Sequence, residues 1–213
     1  MNNIILPSQL KYLQSFQSEN DPLIIELEEF AKNNNVPILS KDSAKFLEIL
    51  ISMTAPKRVL ELGTAIAYSS IRIARNLKKK SILHTIEKSS DNIKLAKENI
   101  AKAGLNDKIV IMEGNAFDIM PGLKKKYDFI FLDADKNDYK QLFDYCLILL
   151  KKNGIIFVDN LLWKGYTASQ KVPAEYKTST KYIREFNQFF TSQKTLNATI
   201  IPIGDGIGLG VKS

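Results

Sequence analysis

Cysteine is nearly absent: Cys146 stands alone, so no disulfide forms within the chain, and a reducing, cytoplasmic setting is expected. It lies in the apolar run Phe143 to Leu150, where it reads as a small buried hydrophobe and not as a nucleophile. Arginine is scarce as well. Of 30 basic residues only Arg58, Arg72, Arg75 and Arg184 are arginines, so the formal charge of +7 rests on lysine. Bidentate phosphate and base contacts favour arginine, and the charge therefore admits a nucleic-acid partner without requiring one. The N-terminus Met1 to Pro7 lacks a basic region and a sustained apolar core, and no apolar run approaches membrane-spanning length, so neither export nor a membrane partner is expected. Internal repeats, low-complexity tracts and a Pro/Gly-rich linker are missing. With 213 residues, 45% apolar and 25% charged, one domain over 1–213 with one sizeable core is expected. The G-x-G-x-x-G fingerprint is missing too: Gly63 is followed by Ala65 and Ile66-Ala67, which disfavours a pyrophosphate cofactor.

What is present is alternation. Amphipathic segments at about 8–18, 22–33 and 42–53 make 1–55 an N-terminal helical cap or lid. Arg58 to Gly63 then reads as a buried strand, followed by a helix from about Ala67 to Leu77 and a strand from Ser81 to Glu87. A helix capped by Ser89 or Ser90 stops at Gly104. Next come a strand over 108–113, a short helix around Phe117, a strand ending at Asp133, a helix from about Tyr139 to Lys151, and a strand ending in Asp159-Asn160. Strands separated by helices of this length need right-handed crossovers and a mostly parallel sheet. The tail differs, because Asn197 to Ile203 and Ile207 to Val211 flank Gly204-Asp205-Gly206 as an antiparallel hairpin. The expected fold class is α/β, with a mostly parallel seven-stranded sheet ending in that hairpin and helices on both faces.

Two of these strands end in acidic or amide oxygen. In an open parallel sheet ligands bind beyond the carboxyl ends of the strands, so Asp133, Asp159 and Asn160 can converge there. Three hard oxygens suit Mg²⁺ or Ca²⁺ and not zinc. A glycine at the end of the first strand, Gly63, lets a ligand approach the backbone, and Glu87 closes the second strand where an acid can bind both ribose hydroxyls. Together, without pyrophosphate binding, these favour an adenosine-containing ligand.

At these residues the chain resembles the class I S-adenosylmethionine-dependent methyltransferases, and within them the cation-dependent O-methyltransferases that include catechol and caffeoyl-CoA enzymes. The resemblance runs from about Pro37 to Lys212. Its ordered motifs are Leu60-Glu61-Leu62-Gly63-Thr64 with Tyr68-Ser69, Glu113-Gly114-Asn115-Ala116, Leu132-Asp133-Ala134-Asp135-Lys136 with Tyr139, Asp159-Asn160-Leu161-Leu162-Trp163, and Pro202-Ile203-Gly204-Asp205-Gly206. The resemblance implies that Glu61, Gly63, Thr64 and Ser69 surround the methionine part of S-adenosylmethionine, Glu87 holds the ribose, Ala116 touches the adenine, and Leu39 covers the cofactor as part of a lid. It further implies that Asp133, beside the cofactor, binds Mg²⁺ (or Mn²⁺ or Ca²⁺) with Asp159 and Asn160, that Lys136 assists deprotonation, and that the chain forms a homodimer. Two departures stand out. Ala67 replaces the family's usual glycine, so either the turn tolerates a Cβ near the cofactor or its backbone is ordinary helix. Asn115 replaces an aspartate, removing a charge near the adenine.

Within the family the chain looks most like the bacterial methyltransferases of 5-hydroxyuridine at the tRNA wobble position, on Gly63-Thr64-Ala65-Ile66, Ser69-Ser70-Ile71-Arg72 and Asp159 to Gly165. That nucleoside carries a 5-hydroxyl beside a 4-oxo group and can chelate a cation as a catechol does, so tRNA is the leading expected substrate and a small catechol-like or phenolic compound the alternative. Lys164, immediately past the site, reads either as a partner for a substrate phosphate or as a solvated loop lysine. Tyr166 to Tyr182, with Lys171, Lys177 and Lys181, mixes bases and aromatics either as a single-stranded RNA contact or as a lid over a small phenol. A non-catalytic adenosine-binding module would leave the oxygen ligands and Lys136 idle.

Overall fold

The computed structural model describes residues 6–213, so the first five residues of the expected cap lie outside the described residues. The strands are β1 Arg58–Leu62, β2 Ile82–Glu87, β3 Ile109–Glu113, β4 Tyr127–Leu132, β5 Leu150–Val158, β6 Leu196–Ile201 and β7 Ile207–Lys212. They form one sheet in the order β3-β2-β1-β4-β5-β7-β6. Neighbours from β3 to β5 are parallel, and β7 runs antiparallel to both β5 and β6, which is the expected hairpin closing a parallel sheet. The helices are α1 Pro7–Gln14, α2 Pro22–Asn34, α3 Lys41–Thr54, α4 Tyr68–Asn76, α5 Ser90–Lys102, α6 Ala116–Ile119, α7 Tyr139–Leu149 and α8 Lys177–Thr191.

Strand residues alternate between faces with period two, and because helices cover both faces the central strands are apolar throughout. Val59, Phe129, Phe131 and Phe157 pack with Leu27, Leu47, Ile71 and Ile100 from α2, α3, α4 and α5. On the other face Leu60, Ile130, Leu132 and Ile156 meet Phe143 of α7 and Ile183, Phe186 and Phe190 of α8. Each such side chain fully withdrawn from water contributes roughly 1.5–3 kcal/mol. Asp21 caps α2 through Leu23 N (3.0 Å) and Ile24 N (3.2 Å), and Ser89 caps α5 through Asn92 N (3.4 Å). Gly104, at φ +66°, terminates the turn after α5 as its sequence position suggests.

Two elements differ from expectation. The helix expected to reach Lys151 stops at Leu149, because Leu150 turns extended (φ −73°, ψ 134°) and pairs with Tyr127, while Lys151 meets Asp128 at 2.5 Å. The parallel ladder outweighs two more residues of helix. The helix α8 went unread, although Thr180, Ile183, Phe186 and Phe190, all buried, recur at helical spacing. Its lysine- and threonine-rich first turn resembles loop.

Strand order reverses between β1 and β4, since β2 and β3 extend the sheet one way and β5, β7 and β6 the other. The crevice at the carboxyl ends of β1 and β4 is where such sheets take ligands.

Candidate active site

Gly63 follows β1 at φ +97°, and a Cβ there would sit 1.9 Å from the Asp133 carbonyl oxygen, so the two sides of the crevice meet as closely as glycine allows. Asp133 N donates to Leu62 O (3.0 Å) and Asp159 N to Leu132 O (3.2 Å), which extends the ladder just far enough to carry both carboxylates to the rim.

The turn from β1 into α4 is held from all sides. Ala65 N donates to Glu87 Oε2 (2.9 Å), Ala67 N to Thr64 O (2.8 Å), and Asn99 Nδ2 of α5 to Ile66 O (3.0 Å). Ala67 is fully buried at φ +67°, ψ 23°. It is therefore left-handed, not ordinary helix, and the chain tolerates a Cβ where glycine is easier. Glu87 is buried, and its second oxygen accepts from Lys88 N and Ser89 N, both 2.9 Å, so it organises the turn while its remaining lone pairs stay available to a ligand. Thr64 spends its hydroxyl on Thr85 (2.6 Å). Glu61 lies wholly inside. Ser69 Oγ donates to its Oε1 at 2.5 Å and Ser70 Oγ to its Oε2. Burial pushes the carboxyl up to about 7, against the pull of those hydroxyls.

Leu39, just before α3, is buried and with Tyr68 lines an open basin of about 510 Å³. Ala116 begins α6, where Asn115 accepts from Phe117 N (2.9 Å). The amide thus does capping work that an aspartate would also do.

On the β4 and β5 side, Lys136 Nζ donates to Asp133 Oδ1 (3.1 Å), Asn160 Oδ1 (2.7 Å) and the Tyr139 hydroxyl (2.6 Å). Tyr139 Oη donates its own hydrogen bond to Asp159 O (3.1 Å). Asp159 is 4% exposed, and its Oδ1 has no hydrogen-bond partner. Burial and then the neighbouring Asp133 charge raise its carboxyl to about 7. Asn160, at φ +63°, points its amide Nδ2 toward Asp205 Oδ2 (3.4 Å). Asp205, whose acidity is also weakened by burial, accepts from Lys164 N in the next turn. Among the described residues, three acidic, imidazole or thiol side chains do not cluster tightly enough to hold an ion. The donor set is instead two carboxylates and an amide. It fits a hard divalent cation on one observation above others: a buried carboxylate oxygen facing another carboxylate with nothing to receive.

The structure thus brings Gly63, Glu61, Ser69 and Glu87 to one side of the crevice and Asp133, Lys136, Asp159 and Asn160 to the other. It directs Lys164 elsewhere. That ammonium donates to the Tyr176 hydroxyl (3.2 Å) and lies 4.6 Å from its ring centre. Tyr166 and Tyr176 stack on one another with ring centres 5.1 Å apart. Sequence reasoning gave no role to Tyr139, although its i+3 spacing from Lys136 signals contact, nor to Asp205, read as a turn residue and part of a motif, nor to Ser70. Trp163, with a buried indole N–H that lacks a partner, closes the site beside Lys136.

Residues 14–213 match the family described as O-methyltransferase. The chain belongs to this family. It is 32% identical to a catechol O-methyltransferase of Niastella koreensis, with 99% of each chain covered, and 33% identical to a caffeoyl-CoA O-methyltransferase of Populus kitakamiensis, covering 82% of this chain and 77% of that one. Among solved structures, the O-methyltransferase from Bacillus cereus in complex with S-adenosylhomocysteine superposes with TM-score 0.84 at 26% identity, covering 95% and 96% of the two chains. The O-methyltransferase TomG from Streptomyces achromogenes, in complex with S-adenosylmethionine, does so at TM-score 0.84 and 26% identity over 100% and 99%. The protein is an S-adenosylmethionine-dependent O-methyltransferase.

Proposed function

We propose that this O-methyltransferase acts on one hydroxyl of a substrate presenting two adjacent oxygens, as a catechol does, and that Asp133, Asp159 and Asn160 hold a divalent cation such as Mg²⁺ during the reaction. The observation that carries this reading is the unpartnered Oδ1 of buried Asp159 beside Asp133. When bound, the cation would supply stabilisation of the substrate oxyanion. Transfer forms an O–C bond and breaks the methyl S–C bond, leaving S-adenosylhomocysteine, and the hydroxyl proton passes to bulk water as the substrate oxygen ionises. Lys136 spends its donors on three oxygen acceptors, an arrangement suited to the ammonium form; we assign it the orientation of the oxyanion and not the capture of the proton. Tyr139 holds that ammonium in place. Glu61, Ser69 and Glu87 serve the cofactor, and Trp163 flanks the Lys136 ammonium.

A second reading, 5-hydroxyuridine at the tRNA wobble position, has one observation in its favour: Lys171, Lys177, Lys181 and Arg184 line an open basin of about 600 Å³ one turn beyond Trp163–Ala168. The similarity to catechol and caffeoyl-CoA enzymes supports small phenols first. Exposed Tyr12 and Leu13 on α1 and Ile49 and Met53 on α3 support a homodimer.

The test is methyl transfer from labelled S-adenosylmethionine to a catechol and, in parallel, to an anticodon stem-loop carrying 5-hydroxyuridine, with Mg²⁺, Mn²⁺ or excess chelator. Expected is transfer to the catechol that stops with chelator and with Asp159→Ala, while cofactor affinity persists. Full turnover in chelator removes the cation assignment. Transfer to the stem-loop alone replaces the first substrate reading by the second.

A further inference from the structure

The positive charge of this chain is not spread evenly over it. The segments that enter the strands at the amino end of the sheet (55–58, 77–81, 103–108, 123–128, 150–153 and 192–195) carry twelve lysines and arginines against two aspartates, Asp107 and Asp128. Asp128 is already taken, accepting from Lys57 N, Arg58 N and Lys151 Nζ. Lys151 is the cation of this end with a carboxylate partner among the described residues. The segments that leave the strands at the opposite end, where the site lies, carry Asp133, Asp135, Asp138, Asp159, Glu175 and Asp205 against Lys88, Lys136, Lys164 and Lys171. Positive charge is therefore in excess at the end turned away from the chemistry.

Part of this array is fixed. Lys108 Nζ donates to the last carbonyls of α4, Ala74 O (3.3 Å) and Leu77 O (3.1 Å). Lys126 donates to Ile148 O, and Lys212 to Leu147 O (2.6 Å) and Leu150 O (3.0 Å), at the end of α7. Helix-end carbonyls orient these ammonium groups without cancelling their charge. The resulting field is felt locally: burial and then Lys126 lower the pKa of Lys212, and burial, Lys125 and Arg58 do the same to His84. Around these anchors Lys78, Lys79, Lys80, Lys124 and Lys125 are exposed.

We propose that the amino end of the sheet is a docking face for the phosphate backbone of duplex RNA, separate from the methyl-transfer site. From β3 to β7 the row crosses five strand spacings, roughly 24 Å, a span over which a duplex presents a dense line of phosphate charge. Charge and reach match such a partner. The exposed aromatic side chains Tyr12, Phe16 and Tyr182 all lie elsewhere, so the face lacks the rings on which single-stranded bases stack and the aromatic wedge that anchors a protein in a membrane interface. With lysine predominating over arginine, contact should be to phosphate and indifferent to sequence. Such docking would hold the enzyme on RNA while its mouth stays open to substrate.

The experiment measures binding of a labelled 20-base-pair RNA duplex to the whole protein over a salt series. The comparison variant carries Gln at Lys78, Lys79, Lys80, Lys124 and Lys125, none of which makes a side-chain hydrogen bond or ion pair in the structure. A second variant carries Ala at Lys171, Lys177 and Lys181. Expected is binding by the wild type that weakens steeply with salt, a loss of ~10-fold or more in the five-site variant with a shallower salt slope, and little change in the three-site variant. Cofactor binding by the five-site variant should equal that of the wild type, showing that it folds. No binding by the wild type at low salt, equal binding by the five-site variant, or a loss confined to the three-site variant overturns the proposal. Retention on phosphatidylglycerol vesicles with none on RNA also overturns it, in favour of a membrane surface.

Discussion

Glu61→Gln should make the protein more stable and worse at holding its cofactor, with the first effect controlled by pH. The carboxyl is fully buried, and its folded-state value of about 7 against 4.5 for the free group means the fold prefers it protonated. Its stabilising contribution is complete below pH 4.5 and is lost as pH rises toward 7. At pH 5.5 the unfolded chain is already ionised and the penalty is about 1 kcal/mol; above pH 7 it levels off at about 3 kcal/mol. Glutamine has nearly the same shape, can still accept from Ser69 or Ser70, and carries no charge to desolvate. The variant should therefore melt higher than the wild type at pH 8.5, by up to roughly 6–12 °C, since 1 kcal/mol is roughly 2–4 °C for a chain of this size. At pH 5.5 most of the gain should vanish. The same carboxylate, once ionised, is the natural partner for a cationic cofactor, so S-adenosylmethionine affinity should rise with pH through about 7 in the wild type and fall roughly tenfold, without that pH dependence, in Glu61→Gln. Thermal melts at the two pH values and titration calorimetry read both effects. A melting difference equal at both pH values would refute the ionisation argument, and an unchanged affinity would remove Glu61 from the cofactor site.

Most of the sheet was legible because its strands are covered on both faces: Phe129 to Leu132 and Ile155 to Val158 read as strands from apolar content alone, and each ends at the acid that matters. The same burial hid the limits of α7, where Cys146 to Leu150 is equally apolar in helix and strand and only pairing with β4 decides the boundary. Gly63 was legible because a positive φ has few other occupants. Ala67 was not, since an alanine carries no sign of the left-handed backbone imposed by the Thr64 carbonyl and Asn99. Hydroxyl partnerships such as Thr64 with Thr85 join strands that are 21 residues apart in sequence and leave no local pattern. The engagement of Lys164 by Tyr176 was hidden for a similar reason: the backbone reverses at Lys164 and Gly165, φ 55° and 79°, and turns the ammonium back onto its own loop. The overall charge was countable from composition, which does not say which end of a sheet it occupies.

Three further perturbations test the local arguments. Glu87→Ala removes both the anchor of Ala65 N and the acceptor offered to a ribose, so S-adenosylmethionine should bind more weakly by roughly 1–3 kcal/mol in calorimetry; equal affinity excludes the ribose role. Ala67→Gly should be close to neutral in stability, because relief of roughly 1 kcal/mol of left-handed strain offsets the added freedom of the unfolded chain, whereas Ala74→Gly inside α4 should cost about 1 kcal/mol or more; a larger loss at Ala67 than at Ala74 would mean the strain is not there. Arg72→Met tests the cap. The guanidinium, 9% exposed in its side chain, meets Glu48 (2.5 Å) from α3, Glu28 (3.5 Å) from α2 and Glu19 (2.6 Å) from the segment between α1 and α2, and lies 4.8 Å from the Tyr68 ring centre at the start of α4. Methionine would fill part of the volume but leave three glutamates facing one another without their shared cation, and stripping one partner from a buried pair costs roughly 3–5 kcal/mol. Because those glutamates retain some contact with water, the lower figure applies, roughly 6–12 °C in melting temperature. Limited proteolysis should then cut between α1 and α2 in Arg72→Met before the wild type is touched there, and equal cleavage in the two proteins would show that the cap is held by its apolar contacts and not by Arg72.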